Sequence, residues 1–289
     1  MSLSRPQVDG FHDPDTGTIT YLVTDPETQR AAVIDPVLDF DAKSARTTTR
    51  SADAVIGRIR ERRVTVDWLL ETHVHADHLS GMPTVRRAVG GQSGIGWHID
   101  AVQQAFRDIF GFDRSFHADG SQFDHRFADG ERFGIGSLPA QVLHTPGHTP
   151  ACVSYLIGDA LFVGDTLFMP DSGTARCDFP GGDAACLYRS IRRLLALPDD
   201  TRMFICHDYR PGGRPAAWET TVAAQRAHNI HVHDGIDEAA FVAMRTARDR
   251  TLSMPTLIIP AVQVNIRAGE LPPPAANGTR YLQVPLDVL

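Results

Sequence analysis

Four short strings hold the residues able to do chemistry: Thr72-His-Val-His-Ala-Asp-His78, Thr145-Pro-Gly-His-Thr149, Gly164-Asp-Thr166 and Cys206-His-Asp208. Between them they offer His73, His75, Asp77, His78, His148, Asp165 and His207. Deprotonated imidazoles and carboxylates are the donors that divalent transition metals take at about 2.0–2.2 Å. Groups so far apart along the chain can meet only in three dimensions, and a shared metal ion is the physical reason for them to do so. On an extended segment the His-x-His alternation sends both rings to one side, while Asp77 and His78 face a second position after the chain turns. His98, His117, His125, His228, His231 and His233 lack such company and read as surface or packed side chains, as does His144 despite its nearness to His148.

The elements that must position these strings can be read from the apolar pattern. Two β-rich runs, 18–24 and 31–35, flank Asp25-Pro-Glu-Thr28 as a hairpin. An amphipathic helix over 51–63 precedes a buried strand over 64–70, which delivers the first string at its C-terminal end. Between 83 and 110 helical patterns alternate with Gly90-Gly-Gln-Ser-Gly-Ile-Gly96, which reads as a connection. Short strands resume through 141–148, 151–157 and 160–165. A helix over about 183–196 leads to the strand 203–206 and its polar turn at His207. Two further helical patterns, about 216–229 and 237–249, lead into a Pro-rich tail. No fixed repeat or low-complexity tract interrupts the chain. Residues 1–289 therefore read as one domain, with 211–289 as a C-terminal extension packed on it.

Composition excludes several classes of function. With 42% hydrophobic and 22% charged residues the chain can bury a sizeable core. A net charge of -7 repels phosphate backbones, so nucleic acid is not an expected partner. No run approaches the roughly 18 apolar residues of a membrane span, and the first ten residues lack the apolar core of a leader. A cytoplasmic location is expected. Cys152, Cys177, Cys186 and Cys206 are too few and too scattered for a disulfide framework. Packing is the expected role of Cys152 and Cys206, whereas Cys177, next to Arg176, is a candidate for a lowered thiol pKa.

The four strings, in this order over roughly residues 17–210, resemble the metal motifs of the metallo-β-lactamase superfamily. The resemblance implies an α/β (α+β) fold, the αββα sandwich of two mixed sheets flanked by helices, with the metal at one sheet edge. Within the superfamily, Gly173-Thr-Ala-Arg-Cys-Asp-Phe-Pro-Gly-Gly-Asp183, Leu187-Tyr188 and His207-Asp-Tyr209 are similar to the persulfide (sulfur) dioxygenases. The run from Ser253 to Pro285 resembles their bacterial β-lactamase hydrolase-like branch. That likeness implies one Fe(II) per chain on His73, His148 and Asp165, leaving three faces for dioxygen and a persulfide sulfur. His75, Asp77, His78 and His207 would orient ligands and waters around it. Arg176 and Tyr209 would contact the thiol carrier, the arginine fork taking a glutathione carboxylate. The implied products are sulfite and the free thiol. Glutathione persulfide and O₂ are the implied small-molecule partners, with functional coupling to a rhodanese-type sulfurtransferase and a homo-oligomer, a dimer, as the assembly. Two other readings stay open. All seven donors for a binuclear site are present, as in a thioester hydrolase of the glyoxalase II type, and zinc can occupy imidazole and carboxylate sites. A non-catalytic, metal-stabilised binding module is the third, against which the open ligand set argues.

Overall fold

The computed structural model describes residues 5–113 and 115–288. Two six-stranded mixed sheets make its centre. In the first, Gln7–His12, Ile19–Thr24 and Arg30–Ile34 run antiparallel, and Thr65–Leu70, Gln92–Gly96 and His125–Phe127 continue in parallel from Arg30–Ile34. In the second, Arg132–Ile135, Leu138–His144, Val153–Ile157 and Ala160–Phe162 form an antiparallel meander, Arg202–Phe204 joins in parallel, and Glu219–Thr221 closes the edge. Period-two alternation explains the layering. Ile19, Tyr21 and Val23 point into a core shared with Val142, Tyr155, Phe162 and Phe204 of the second sheet. Leu22, Ala31 and Val33 face the other way, under helices.

The helices are α1 (Arg50–Arg62), α2 (Met82–Val89), α3 (Ile99–Phe110), α4 (Ala184–Leu194), α5 (Val222–His228), α6 (Glu238–Asp249) and α7 (Ile258–Asn265). Val55, Ile56 and Ile59 of α1, Val85 of α2, and Val102 and Phe106 of α3 cover the first sheet. Leu187, Ile191 and Leu194, spaced as one face of α4, are fully buried on the second. Each such side chain contributes about 1.5–3 kcal/mol relative to exposure. The layers are thus α/β/β/α. No described helix is long and apolar enough to cross a membrane.

The stretch 90–96 departs from its reading as a connection, since Gln92–Gly96 is an inner strand of the first sheet. Its glycines answer to packing: a Cβ on Gly96 would lie 2.5 Å from the Ala151 carbonyl oxygen. The helical pattern at 216–229 divides into the edge strand Glu219–Thr221 and α5. The tail contains α7, and Gln7–His12 adds an edge strand that the sequence pattern did not show.

Asp25 ties the hairpins of the two sheets. Burial alone would raise its carboxyl. Hydrogen bonds from Thr28 Oγ1 (2.5 Å), the Ser137 and Glu27 amides (2.7 and 3.0 Å) and Ser137 Oγ (2.8 Å) overcome this and hold it at about 2. A carboxyl depressed by folding stabilises the fold above its unfolded pKa and loses that contribution as pH falls through its folded value. Asp25→Asn is therefore expected to lower the urea midpoint near neutrality and to converge with the parent between about pH 4 and pH 2. Parallel curves down to pH 2 would contradict this assignment.

Candidate metal centre

Each string of metal donors leaves the end of a strand at the same edge of the sandwich. The first follows Thr65–Leu70, and its path is set by Asp35, whose carboxylate accepts hydrogen bonds from the Thr72 amide (2.7 Å) and Thr72 Oγ1 (2.8 Å). Tyr155, from the second sheet, donates to the Glu71 carbonyl at 2.9 Å. His148 follows Leu138–His144 through Gly147. That glycine has φ +137°, and a Cβ there would stand 2.4 Å from Leu187 Cα. Asp165 sits in the 3₁₀ turn Gly164–Thr166. His207 follows Arg202–Phe204, next to Cys206, whose carbonyl accepts from the Ile19 amide at 2.7 Å.

His73, His148 and Asp165 converge: Asp165 Oδ2 lies 3.7 Å from His148 Nε2 and 4.0 Å from His73 Nε2. Their three donor atoms all fall within 4.8 Å of one another, a span that one ion with bonds of about 2.1 Å can bridge. Hydrogen bonding settles the tautomers. The Arg176 carbonyl can only accept, so His148 Nδ1 donates to it at 2.8 Å and Nε2 keeps its lone pair. Thr72 gives its one hydroxyl proton to Asp35, so His73 Nδ1 donates to Thr72 Oγ1 at 3.0 Å, and His73 Nε2 likewise keeps a lone pair. That nitrogen is buried and has no partner among the described residues. Burial lowers the pKa of both rings. The donor set therefore suits a divalent transition metal.

His75 does not join this set. The loop is irregular rather than extended, and although the His73 and His75 rings lie 4.0 Å apart, their nitrogens serve different partners. His75 Nε2 is 3.0 Å from Asp35 Oδ1 and 3.4 Å from Glu71 Oε2. Burial would keep the ring neutral, but the Asp35 carboxylate overrides it and holds His75 protonated. Burial pushes Glu71 up to about 7, against the pull of His75. Asp77 collects the others: its Oδ2 accepts from Thr18 Oγ1 (3.0 Å) and lies 3.3 Å from His78 Nδ1 and 3.4 Å from His207 Nδ1. Burial would raise Asp77, yet those two imidazoles hold it well below the usual carboxylate range. His207 Nε2 stands 3.2 Å from Asp165 Oδ1, the oxygen turned away from His73 and His148.

Residues 13–207 match the family model "Metallo-beta-lactamase superfamily". The chain belongs to that superfamily. Among curated proteins it is 53% identical to a "Probable metallo-hydrolase" of Burkholderia pseudomallei, over 98% of this chain and 99% of that one. It is 45% identical to "Glyoxylase B2" of Dictyostelium discoideum, over 99% of each. It is 30% identical to "Persulfide dioxygenase ETHE1, mitochondrial" of Homo sapiens, over 91% of this chain and 89% of that protein. The crystal structure of ETHE1 from Myxococcus xanthus superposes with TM-score 0.73 at 29% identity, covering 91% of this chain and all of that one.

The donors open onto a cleft. This cavity, of about 740 Å³, reaches His78, His148 and Asp165 and is walled by Phe168, Phe179 and Tyr209. Tyr209 is 60% exposed and lies parallel to the His207 ring at 6.0 Å. Arg176 lines the cavity too, but its fork is not free for a glutathione carboxylate. Nε and Nη2 already hold Asp178 at 2.5 and 2.6 Å, and Nη1 donates to the Ser253 carbonyl at 2.7 Å. The expected lowering of the Cys177 thiol also fails, because the residue is buried and burial pushes its pKa up. Burial likewise pushes Cys152 up to about 12.

The sequence pattern passed over Thr18, Asp35 and Glu71. Asp35 ends an apolar strand, the same signal that marked the other strand-end donors, and it holds φ +50°, unusual outside glycine. Lys43 and Arg248 also line the cavity, and among the described residues neither has an ion pair. His73→Ala and His148→Ala are expected to lose the metal on quantification. Asp77→Asn should keep its stoichiometry at an affinity about 10–100-fold weaker. Loss of a second equivalent in Asp77→Asn would show a binuclear site instead.

Proposed function

We propose that this chain is an Fe(II)-dependent persulfide dioxygenase, one iron per chain on His73, His148 and Asp165, which converts a low-molecular-weight thiol persulfide and O₂ to sulfite and the free thiol. The observation that carries the reading is the convergence of His73, His148 and Asp165, a two-histidine, one-carboxylate set whose donor atoms fall within 4.8 Å of one another, while His75 Nε2 lies against Asp35 and Glu71. Likeness to the human and Myxococcus proteins supports it.

Bound there, Fe(II) would supply a redox-active centre with faces open to both dioxygen and a sulfur ligand. The balance is one persulfide, one O₂ and one water consumed, with one thiol, one sulfite and two protons released. The S–S bond breaks, the terminal sulfur is oxidised and dioxygen is reduced. The protein's part is orientation. The Arg176 carbonyl and Thr72 hydroxyl fix the two imidazoles, and His207 stands against the outer oxygen of Asp165. His78 lines the cavity, its Nε2 unpartnered among the described residues, and burial, which lowers its pKa, favours the neutral ring. Phe168 and Phe179 give the cleft apolar walls that limit water.

Glutathione persulfide is the proposed substrate, the cytoplasm the proposed setting, a dimer the proposed assembly and a rhodanese-type sulfurtransferase the proposed supplier. With Arg176 engaged, Lys43 and Arg248 are the cations at the cavity wall able to meet the carrier's carboxylates. A second reading, a thioester hydrolase with two metal ions, is favoured by the unpartnered Nε2 atoms of His78 and His207 and by the names of two relatives.

The deciding experiment follows oxygen consumption with glutathione persulfide, using anaerobically purified protein of known iron and zinc content. Uptake with sulfite release, scaling with one iron per chain and abolished in His148→Ala, is expected. No uptake by iron-loaded protein, with thioester hydrolysis scaling with two metals per chain, overturns the proposal.

A further inference from the structure

Residues 73–78 contain four of the metal-site side chains, yet among the described residues they take part in no backbone-to-backbone hydrogen bond outside the regular elements. A buried loop whose carbonyls had no partner would lose their hydration without replacement. The partner comes from the far end of the chain. Asn265, the last residue of α7 and 5% exposed, donates from Nδ2 to the His75 and His78 carbonyls, both at 2.8 Å. Its Oδ1 accepts from the Ser80 amide at 2.7 Å. One carboxamide thus closes the turn that carries Asp77 and ends at His78, using both of its donors and its acceptor.

The same extension reaches the opposite side of the site. Arg245 of α6, 1% exposed, holds Asp249 through Nε at 2.9 Å and donates from Nη1 to the Thr174 carbonyl at 3.1 Å. Asp249 Oδ2 accepts from the Cys177 amide at 2.9 Å. Between those two anchored residues lies the Arg176 carbonyl that orients His148.

We infer that Asn265 is a positioning residue for the metal centre: through the His75 and His78 carbonyls it sets the path of the ligand loop, so the C-terminal extension is part of the metal site. The inference rests on the metal centre alone and holds whichever reaction that centre carries out. Docking and metal binding must then favour each other, because a coupling free energy between two events is reciprocal.

The test uses the full chain, stripped of metal and titrated with Co(II) against a chromophoric chelator, with the ligand-field spectrum of bound Co(II) recorded. Asn265→Ala is expected to weaken Co(II) by about 10–100-fold and to alter that spectrum, the range typical of groups that orient metal ligands. Gln263→Ala is the control. Gln263 is also buried on α7, but among the described residues its side chain bonds only Ile259 and Gln283, so its loss disturbs the helix and tail without touching the loop, and parental affinity is expected. Should Asn265→Ala fail to fold, Asn265→Ser, with one hydroxyl donor, is expected to show a smaller weakening in the same direction. In the unmodified chain, Co(II) should slow amide exchange in α7. Parental affinity and spectrum in a folded Asn265 variant, or α7 exchange indifferent to Co(II), overturns the inference. A purely structural role would lower thermal stability and leave both unchanged.

Discussion

The metal edge of this molecule depends on a buried carboxylate in a left-handed backbone position. Asp35 is 2% exposed, and its two oxygens face the Thr72 amide and hydroxyl, His75 Nε2 and, at 3.6 Å, Cys206 Sγ. Isolated, such a charge would be too costly to bury. Surrounded by four donors it is held below the ordinary carboxylate pKa: burial pushes the other way, and the His75 charge and the Thr72 hydrogen bonds prevail. The strain at φ +50° persists because these contacts over-determine the residue. From this point the Thr72 hydroxyl settles the His73 tautomer, and His75 Nε2 is held against the Asp35 carboxylate.

A consistent division of labour follows around the centre. Asp165 turns one oxygen to His73 and His148 and the other to His207, while Asp77 gathers His78, His207 and Thr18. The concentration of buried imidazoles would be unstable without such pairing, since each protonated ring disfavours the next. Burial, neighbouring charge and hydrogen bonding thus give chemically identical residues different surroundings. The thiols obey the same rule, as burial keeps Cys152, Cys177 and Cys206 protonated and unreactive.

The sandwich supplies rigidity where the loops have none. Tyr155 hydrogen-bonds the Glu71 carbonyl and Tyr21 the Ile205 carbonyl at 2.5 Å, so each sheet's core reaches across to steady a strand end of the other. The C-terminal extension completes the enclosure through Asn265 and Arg245, bringing chain distant in sequence to bear on both ligand-bearing segments. The cavity at this edge is lined by Tyr209 and the aromatic walls Phe168 and Phe179.

What the sequence determined by itself was the donor inventory and its convergence. Apolar strand runs stop where His73, Asp165 and His207 begin, and that local pattern survives into the structure because burial of those runs drives the sheets together. The helices at 50–62, 184–194 and 238–249 were equally legible from their 3.6-residue period. Only tertiary structure decided the rest. Gly96 lies in a strand whose neighbouring carbonyl leaves no room for a side chain, although propensity reads the glycine as a turn. The helix α7, apolar nearly all round and containing Pro260, has no amphipathic period to reveal it. Which histidine faces the metal, whether Arg176 is free and what Asn265 holds depend on partners that the local pattern does not name, some nearly two hundred residues away. Hydrogen bonds between buried groups leave no periodic trace in the chain, so these roles emerge only once packing brings the partners within reach.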